Sequence, residues 1–308
     1  MDVLSLRTLL DAGLHNSQLS RLPLIRDLSS QLNAFDNEPA ALDRVADLVA
    51  AGLGAEISPG MRAAKTDRAA HRAIAALERL LSELVERGVA GGTGVTVSPG
   101  FLGFGAEDLA DEVFVDRVAK LARQAESAGA ALTLELADYR HTERLIGLAP
   151  RLREAAPEVG FGLAVHFYRA EEDLRRLRGL GGRIRISRGT PASDETVSYQ
   201  RRVDVDLSFV RCLRLLLDSS ATPVLAPSHP RLVAIARAMA LRSARAPHEI
   251  GFEVAGLSSG ELETLRNAGH PISVRVFYGR SPLEEVARRV AQRPRLLADF
   301  ALSRIAKD

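Results

Sequence analysis

The polar side chains that could perform chemistry in this chain stand at or just beyond the ends of short apolar runs. They comprise hydroxyl groups, carboxylates, arginines and two histidines: Ser98, Glu135, Asp138, His166, Arg185, Arg188, Ser228, His229, Glu253, Arg275 and Tyr278. Carboxylates and histidines can transfer protons, and guanidinium groups can bind a carboxylate through paired hydrogen bonds. These residue types indicate acid–base or ligand-binding chemistry without selecting one reaction.

Four members of this set, His166, His229, Glu135 and Glu253, would suit a divalent ion if folding brought them together. The sequence contains no compact ligand motif such as H-E-x-x-H to support that reading. A lone histidine at a strand end more often makes an ordinary hydrogen bond. We therefore predict no metal site and keep metal chemistry as the weakest alternative.

The elements that must position these side chains follow one another in a regular alternation. Eight short runs have the apolar character of strands: Gly52–Ile57, Gly94–Ser98, Ala131–Leu136, Gly160–His166, Arg183–Ser187, Thr222–Ala226, Glu249–Val254 and Ile272–Phe277. Between them, segments such as AHRAIAALERLLSELVERG and LEEVARRVAQR carry apolar residues at the three- and four-residue spacing of amphipathic helices.

Alternating strands and helices predict a parallel sheet. Eight such units favour closure into an α/β protein of the (β/α)8, TIM-like barrel type, and no G-x-G-x-x-G follows the first strand to favour a dinucleotide-binding sheet. In such a barrel the chemistry belongs at the C-terminal ends of the strands. We expect residues 1–45, punctuated by Pro23, Asn37 and Pro39, to form a helical extension, and residues 46–308 to form the barrel.

Composition narrows the classes of partner and compartment. Lys and Arg total 41 and Asp and Glu total 39, a net charge of +2 that gives no field for nucleic acid. The single cysteine, Cys212, lies in an apolar helical pattern and is expected to be a buried structural thiol in a reducing compartment. The start lacks the layout of a signal peptide, and no apolar run is long enough for a membrane span. We expect a cytoplasmic protein, and the sequence leaves the oligomeric state open.

Several segments, in order and spacing, resemble the flavin-dependent proline dehydrogenases. GFGLAVHFYRAEEDL, GRIRISRGTP and VLAPSHPRLVAIA resemble the family's fourth-strand, fifth-strand and A-T-H-D/N segments. VRVFYGRSPLEEVARRVAQRP resembles the family's last strand and helix, with the paired arginines and the later Arg-Pro at the same spacing. The resemblance runs from about residue 52 to residue 302 and implies an FAD-dependent barrel that oxidises the C–N bond of proline or a related amino or imino acid.

The resemblance also implies roles for the substrate side of the site. Arg288 and Arg289 match the arginine pair that binds the substrate carboxylate, and Ser98 and Tyr278 fall at substrate-side positions. Glu135 stands where the family has an aspartate that would hold the substrate amine or take its proton. A structural ion pair between Glu135 and Arg185 is the alternative interpretation.

The implied cofactor-binding positions follow the same strands. Arg185 matches an arginine beside the flavin, where a cation stabilises the reduced ring. Leu136 falls at a flavin-contacting position, and Ser228 falls where the family contacts the adenosine side. Arg188, Gly189 and Thr190 replace the family's K-G-A and would hold a phosphate or ribose.

The chain departs from the family at several of these contacts. Ser98 replaces a lysine that pairs with the substrate carboxylate, Ala164 replaces a glutamine that binds the flavin ring, and Pro191 replaces a tyrosine. Two interpretations follow. Either the chain is a divergent flavoprotein with a remodelled pocket, or it is a flavin-free barrel that binds or transforms an amino-acid-like carboxylate without redox chemistry.

Overall fold

In a computed structural model of the chain, eight parallel strands close into a barrel. The structure describes residues 23–106, 109–136, 138–189, 194–254, 259–279, 282–292 and 297–298. The barrel strands are β2 (Gly54–Gly60), β3 (Thr93–Val97), β4 (Ala131–Leu136), β5 (Gly160–Ala164), β6 (Arg183–Ser187), β7 (Thr222–Ala226), β8 (Gly251–Val254) and β9 (Ile272–Gly279). Each strand pairs in parallel with the next, and β9 pairs with both β8 and β2. The predicted (β/α)8 barrel of the α/β class is confirmed.

Helices follow the strands around the outside of the barrel. They are α1 (Pro23–Gln31), α2 (Glu38–Ala50), α3 (Asp67–Glu86), α4 (Asp111–Ser127), α5 (Tyr139–Ala155), α6 (Ala170–Arg178), α7 (Arg202–Leu217), α8 (Pro230–Arg242), α9 (Ser259–Asn267) and α10 (Pro282–Gln292). Local chemistry fixes several starts, because Asn37, Thr66 and Asp138 each accept a hydrogen bond from a first-turn backbone N–H. The apolar faces of α2 to α9 and the outward faces of the strands form one continuous core, in which Cys212 is fully buried.

Five of the eight strands have bounds that differ by one to three residues from the predicted ones. The first barrel strand begins at Gly54, because Gly52 takes a left-handed φ of 72°. The fourth barrel strand, β5, ends at Ala164, two residues before His166. Glu249 precedes β8, because its carboxylate accepts a hydrogen bond from the Ala246 N–H and closes a turn at Pro247–Glu249.

A short strand before the barrel is absent from the predicted elements. β1 (Ala34–Phe35) pairs in parallel with Phe277 and Tyr278 of β9, beyond the residues of β9 that pair with β8. Apolar side chains of α1, β1 and α10 pack together in a separate small cluster. Because α2 runs across residue 45, the division of the chain at that residue stays a prediction.

Candidate functional site

An arginine and two carboxylates meet inside the barrel. Nε and Nη2 of Arg185 in β6 each donate to the carboxylate of Glu253 in β8, at 2.6 Å. Nη1 of Arg185 donates more weakly to Glu135 in β4, at 3.2 Å from Oε2. Arg185 and Glu253 are almost fully buried, whereas 16% of the Glu135 side chain is exposed. The predicted pair of Glu135 and Arg185 therefore exists, but Glu253 is the closer partner.

A second arginine completes this cluster. Arg275 in β9 donates from Nη2 to Glu135 Oε2 at 3.3 Å, and its Nε lies 3.2 Å from Glu253 Oε1. Burial alone would raise the pKa of Glu253, but the charges of Arg185 and Arg275 outweigh it and lower that pKa to about 2. Two guanidinium groups thus face two carboxylates at the centre of the barrel.

A second polar layer lies nearer the N-terminal ends of the strands. Glu56 in β2 accepts a hydrogen bond from the Thr96 hydroxyl at 2.5 Å and lies 3.7 Å from Nη1 of Arg183. Glycines at inward positions leave the space these long side chains occupy. A Cβ on Gly94 would lie 2.2 Å from Glu56 Oε2, and one on Gly162 would lie 3.1 Å from Glu135 Oε2.

Replacing Gly94 by alanine should therefore destabilise the protein. The added methyl would displace the buried Glu56 carboxylate from Thr96, and overpacking of this kind costs about 1–3 kcal/mol. Gly147, inside α5, has no neighbour within 4 Å of an added Cβ, so Gly147→Ala should stabilise by about 0.4–1 kcal/mol. Urea unfolding of the two variants measures both. Equal effects of the same sign would contradict the steric account.

A hydrogen-bonded group lies at the C-terminal ends of β6 and β7. Arg188, which is 5% exposed, pairs through Nε with Asp206 at 2.6 Å and donates to Ser228 Oγ at 3.3 Å. His229 Nδ1 accepts from the Leu232 N–H and caps α8, so its Nε2–H donates to Asp206 at 3.1 Å. Ser228 and Arg188, both predicted cofactor ligands, are therefore brought together, with Asp206 as an added partner.

Several buried polar atoms of the strands and the loops after them lack hydrogen-bond partners. Within the described ranges they include Ser58 Oγ in β2, His166 Nδ1 after β5 and Nε of Arg275. Burial lowers the pKa of His166 to about 4, so its ring is neutral near neutral pH. Gly189 takes a left-handed φ of 67°, and a Cβ there would lie 2.1 Å from His166 Nδ1. Buried groups of this kind are normally satisfied, so a bound ligand would supply the missing partners.

Arg289 lies outside the ring of strands on α10. Its Nε donates to Glu285 Oε1 at 2.6 Å, its Nη1 donates to the Leu32 carbonyl, and its Nη2 donates to the Arg275 carbonyl at 3.4 Å. Arg289 is thus tied to Glu285, four residues earlier on the same helix. The backbone of Arg288 belongs to α10, while its side chain lies outside the described residues, as does Thr190.

The other predicted site residues lie apart from this cluster. Ser98 follows β3 and opens the turn Pro99–Leu102. Leu136 is buried on the opposite face of β4 from Glu135. The Tyr278 hydroxyl donates to Glu38 at 2.6 Å, at the start of α2, which packs outside β2 and β9. The roles of these residues stay predictions.

Comparison with known proteins identifies the relatives of this barrel. No family model matches the chain. Over 201 residues, which are 65% of this chain and 66% of the relative, it is 24% identical to proline dehydrogenase 1 of Bacillus subtilis strain 168. It is 22% identical over the same length to proline dehydrogenase 2 of that strain. The chain is therefore similar to these proline dehydrogenases over about two thirds of its length.

Solved structures related to the family share the fold. The TM-score is 0.76 with proline utilization A (PutA) from Bdellovibrio bacteriovorus inactivated by N-propargylglycine, at 14% identity over 88% of this chain and 33% of that one. PutA from Corynebacterium freiburgense gives 0.71, at 19% identity over 96% of this chain and 34% of that one. The chain thus matches slightly under two thirds of its curated relatives and a third of each PutA chain.

The structure adds residues to the predicted family site. Glu253, Arg275 and Asp206 are absent from the predicted catalytic and binding residues, yet each contacts one that was predicted. The alternation in SVRVFYG, which turns Arg275 inward when its neighbours are outward, was a signal for one of them. Asp206 lies at the start of α7, and its contact with Arg188 could not be predicted from residue spacing.

The described residues give two further findings on the classes considered. They contain no group of three or more His, Cys, Asp or Glu side chains placed to hold a metal ion. His229 instead pairs with Asp206, and Glu253 pairs with Arg185. In the same part of the chain, every helix is too short or too polar to cross a membrane.

Proposed function

We propose that this chain is a flavin-dependent dehydrogenase that oxidises the C–N bond of a small amino or imino acid at the C-terminal end of the barrel. The observation that carries the proposal is the balanced cluster of Arg185, Glu253, Glu135 and Arg275 beneath buried polar atoms that have no partner among the described residues. Similarity to proline dehydrogenase 1 of Bacillus subtilis supports the same chemistry.

The residues at the mouth fit a flavin. His166 Nδ1 is a buried polar atom without a partner in the described part of the chain, and the Gly189 backbone approaches it where a side chain would collide. Arg188 and Ser228 form a polar patch beside them for the phosphate or ribose side. When bound, FAD supplies the two-electron acceptor for the oxidation.

The protein's own groups have separate tasks in this proposal. Glu135, the more exposed acid, holds the substrate ammonium or takes its proton. Arg185 supplies a fixed positive charge, because Glu253 holds two of its nitrogen atoms. Arg288 and Arg289, on the helix after β9, are proposed to attract the substrate carboxylate.

The visible spectrum of freshly purified protein tests the proposal. We expect flavin absorption, or stoichiometric binding of added FAD by calorimetry, and bleaching of the flavin when proline or a related imino acid is added without oxygen. Compared with the family pattern, replacements such as Ala164 for glutamine remove up to three hydrogen bonds to FAD, each worth about 0.5–1.5 kcal/mol. The affinity for FAD should therefore be lower than that pattern would give by on the order of a hundredfold.

A matched pair of variants locates the cofactor. Ser228→Ala should weaken FAD binding several-fold. Ser220 precedes β7, at the opposite end of that strand from Ser228, and its hydroxyl donates to the Arg178 carbonyl. Ser220→Ala should therefore leave FAD binding unchanged. A colourless protein that gives no heat with FAD would contradict the dehydrogenase proposal. That result would favour the flavin-free barrel that binds an amino-acid-like carboxylate.

A further inference from the structure

Arg275 is the least constrained guanidinium group of the central cluster. Arg185 donates from all three of its nitrogen atoms to carboxylates, and 6% of its side chain is exposed. The side chain of Arg275 makes one hydrogen bond, to Glu135 at 3.3 Å, and one ion-pair contact from Nε to Glu253 at 3.2 Å, and 14% of it is exposed. Since an arginine can form five hydrogen bonds, most of the binding capacity of Arg275 is unused.

Glu135 is likewise the weakly held acid of the cluster. Its contacts with Arg185 and Arg275 are 3.2–3.4 Å long, whereas Glu253 binds Arg185 with two bonds of 2.6 Å. Charge-assisted pairs of good geometry are shorter, at about 2.7–2.9 Å. The contact between Glu135 and Arg275 is therefore the one that a ligand can open at least cost, while Glu253 keeps Arg185 in place.

A further polar atom lies one step along the barrel wall. Arg275 pairs in register with Glu56 on β2, and Ser58, two residues further on the same inward face, pairs with Phe277. Ser58 Oγ is buried and has no hydrogen-bond partner in the described part of the chain. Ser58 and Arg275 thus offer donors on adjacent strands.

We propose that Arg275 is a further substrate-binding residue, and that its ion pair with Glu135 opens to receive a zwitterion. The ligand's ammonium group replaces Arg275 at Glu135, and its carboxylate replaces Glu135 at Arg275. The cluster is neutral before and after this exchange, because a zwitterion adds no net charge. The inference rests on the proposed function, whose substrate is an amino or imino acid, and it supplies the cation that Ser98 cannot.

Three probes separate the two halves of this exchange in calorimetric titrations. Proline carries both charges, cyclopentanecarboxylate lacks the amine, and pyrrolidine lacks the carboxylate. Arg275→Met should weaken proline and cyclopentanecarboxylate by roughly 10- to 100-fold and leave pyrrolidine unchanged, since a hydrogen bond to a charged group has about that effect. Glu135→Gln should weaken the binding of proline and pyrrolidine and should not weaken the binding of cyclopentanecarboxylate. Arg242→Met, at the exposed end of α8, is the control and should change none of them.

A conservative variant guards against misfolding. Arg275→Lys keeps the charge inside the barrel but loses the planar fork, so it should melt close to wild type and weaken the two carboxylate probes several-fold. The inference is wrong if Arg275→Lys and any folded Arg275→Met bind cyclopentanecarboxylate as tightly as wild type, or if wild type binds none of the probes. If the Arg275 and Glu135 variants lose the probes as expected but the protein binds no flavin, this site is upheld and the dehydrogenase proposal is contradicted. If proline bleaches the flavin but the Arg275 variants bind the probes like wild type, the dehydrogenase proposal is upheld and this site is contradicted.

Discussion

Replacing Glu253 with alanine is expected to lower the free energy of unfolding by about 3–5 kcal/mol, because it leaves a buried arginine without its charge partner. The side chain of Glu253 is 5% exposed and binds two nitrogen atoms of Arg185 at 2.6 Å. Removing it leaves Arg185 with the weaker contact to Glu135 and leaves Arg275 with that same acid. Urea unfolding followed by circular dichroism measures the change.

A carboxylate on the surface provides the comparison. Glu83 lies 3.6 Å from Arg87 in an exposed ion pair on α3, and Glu83→Ala should cost less than about 1 kcal/mol. A second comparison is Glu253→Gln, which keeps the shape and one acceptor oxygen and should be intermediate. If Glu253→Ala is no more destabilising than Glu83→Ala, the central cluster does not hold the barrel together as described.

The same residue gives the stability a dependence on pH. The pKa of Glu253 is lowered from its ordinary value of 4.5 to about 2 in the folded protein. Its stabilising contribution is therefore complete above pH 4.5 and is lost as the pH falls towards 2. Wild type should lose stability more steeply than Glu253→Gln across that window. Parallel curves for the two proteins would show that Glu253 does not titrate in this way.

Replacing Arg289 with alanine is expected to weaken binding of a carboxylate ligand by roughly 2–5 kcal/mol, since the guanidinium group is desolvated. Arg289 is 4% exposed, and its nitrogen atoms contact Glu285 and the carbonyls of Leu32 and Arg275. These contacts hold α10 at the end of β9 that leads to the mouth. Calorimetric titration with cyclopentanecarboxylate measures the loss, and Arg288→Ala tests the other member of the pair.

A double variant separates binding from folding. Arg289→Ala alone leaves the buried Glu285 without its partner, which would by itself destabilise α10. Replacing both residues with alanine removes that unpaired charge, so stability should largely return while carboxylate affinity stays low. Arg242→Ala controls for the general loss of one positive charge. Wild-type affinity in both Arg288→Ala and Arg289→Ala would contradict the assignment of the arginine pair.

The strand order of the barrel could be predicted because its signals are local. Ala131–Leu136, Arg183–Ser187 and Thr222–Ala226 coincide with the strands of the structure, since each is a short β-rich run between helical patterns. β1 could not be found in this way. Two residues carry no periodicity, and only pairing with β9, more than 240 positions later, makes them a strand.

The candidate site was predictable as a set of residue types and less so as a set of contacts. Alternation along RIRIS places Arg183 and Arg185 on one face, and the barrel geography places Glu135 inside. The choice between Glu135 and Glu253 as the closer partner of Arg185 depends on how β4 and β8 are placed about β6 in the closed barrel, which no spacing encodes. Tyr278 illustrates the same limit, because Phe277 takes the inward position and leaves Tyr278 facing α2.

Closure of the sheet between β2 and β9 has a consequence for the order in which the chain can fold. During synthesis, Glu56 and Glu135 emerge long before Arg183, Arg185 and Arg275, which are their partners in the finished barrel. Contacts between such distant segments form slowly, because the intervening chain must first be ordered. The carboxylates of the early strands stay hydrated until the late strands arrive. The hydration of these charges thus favours an open chain during synthesis. Water is excluded from the barrel interior only when β9, the last of the eight barrel strands in the sequence, pairs with β8 and β2.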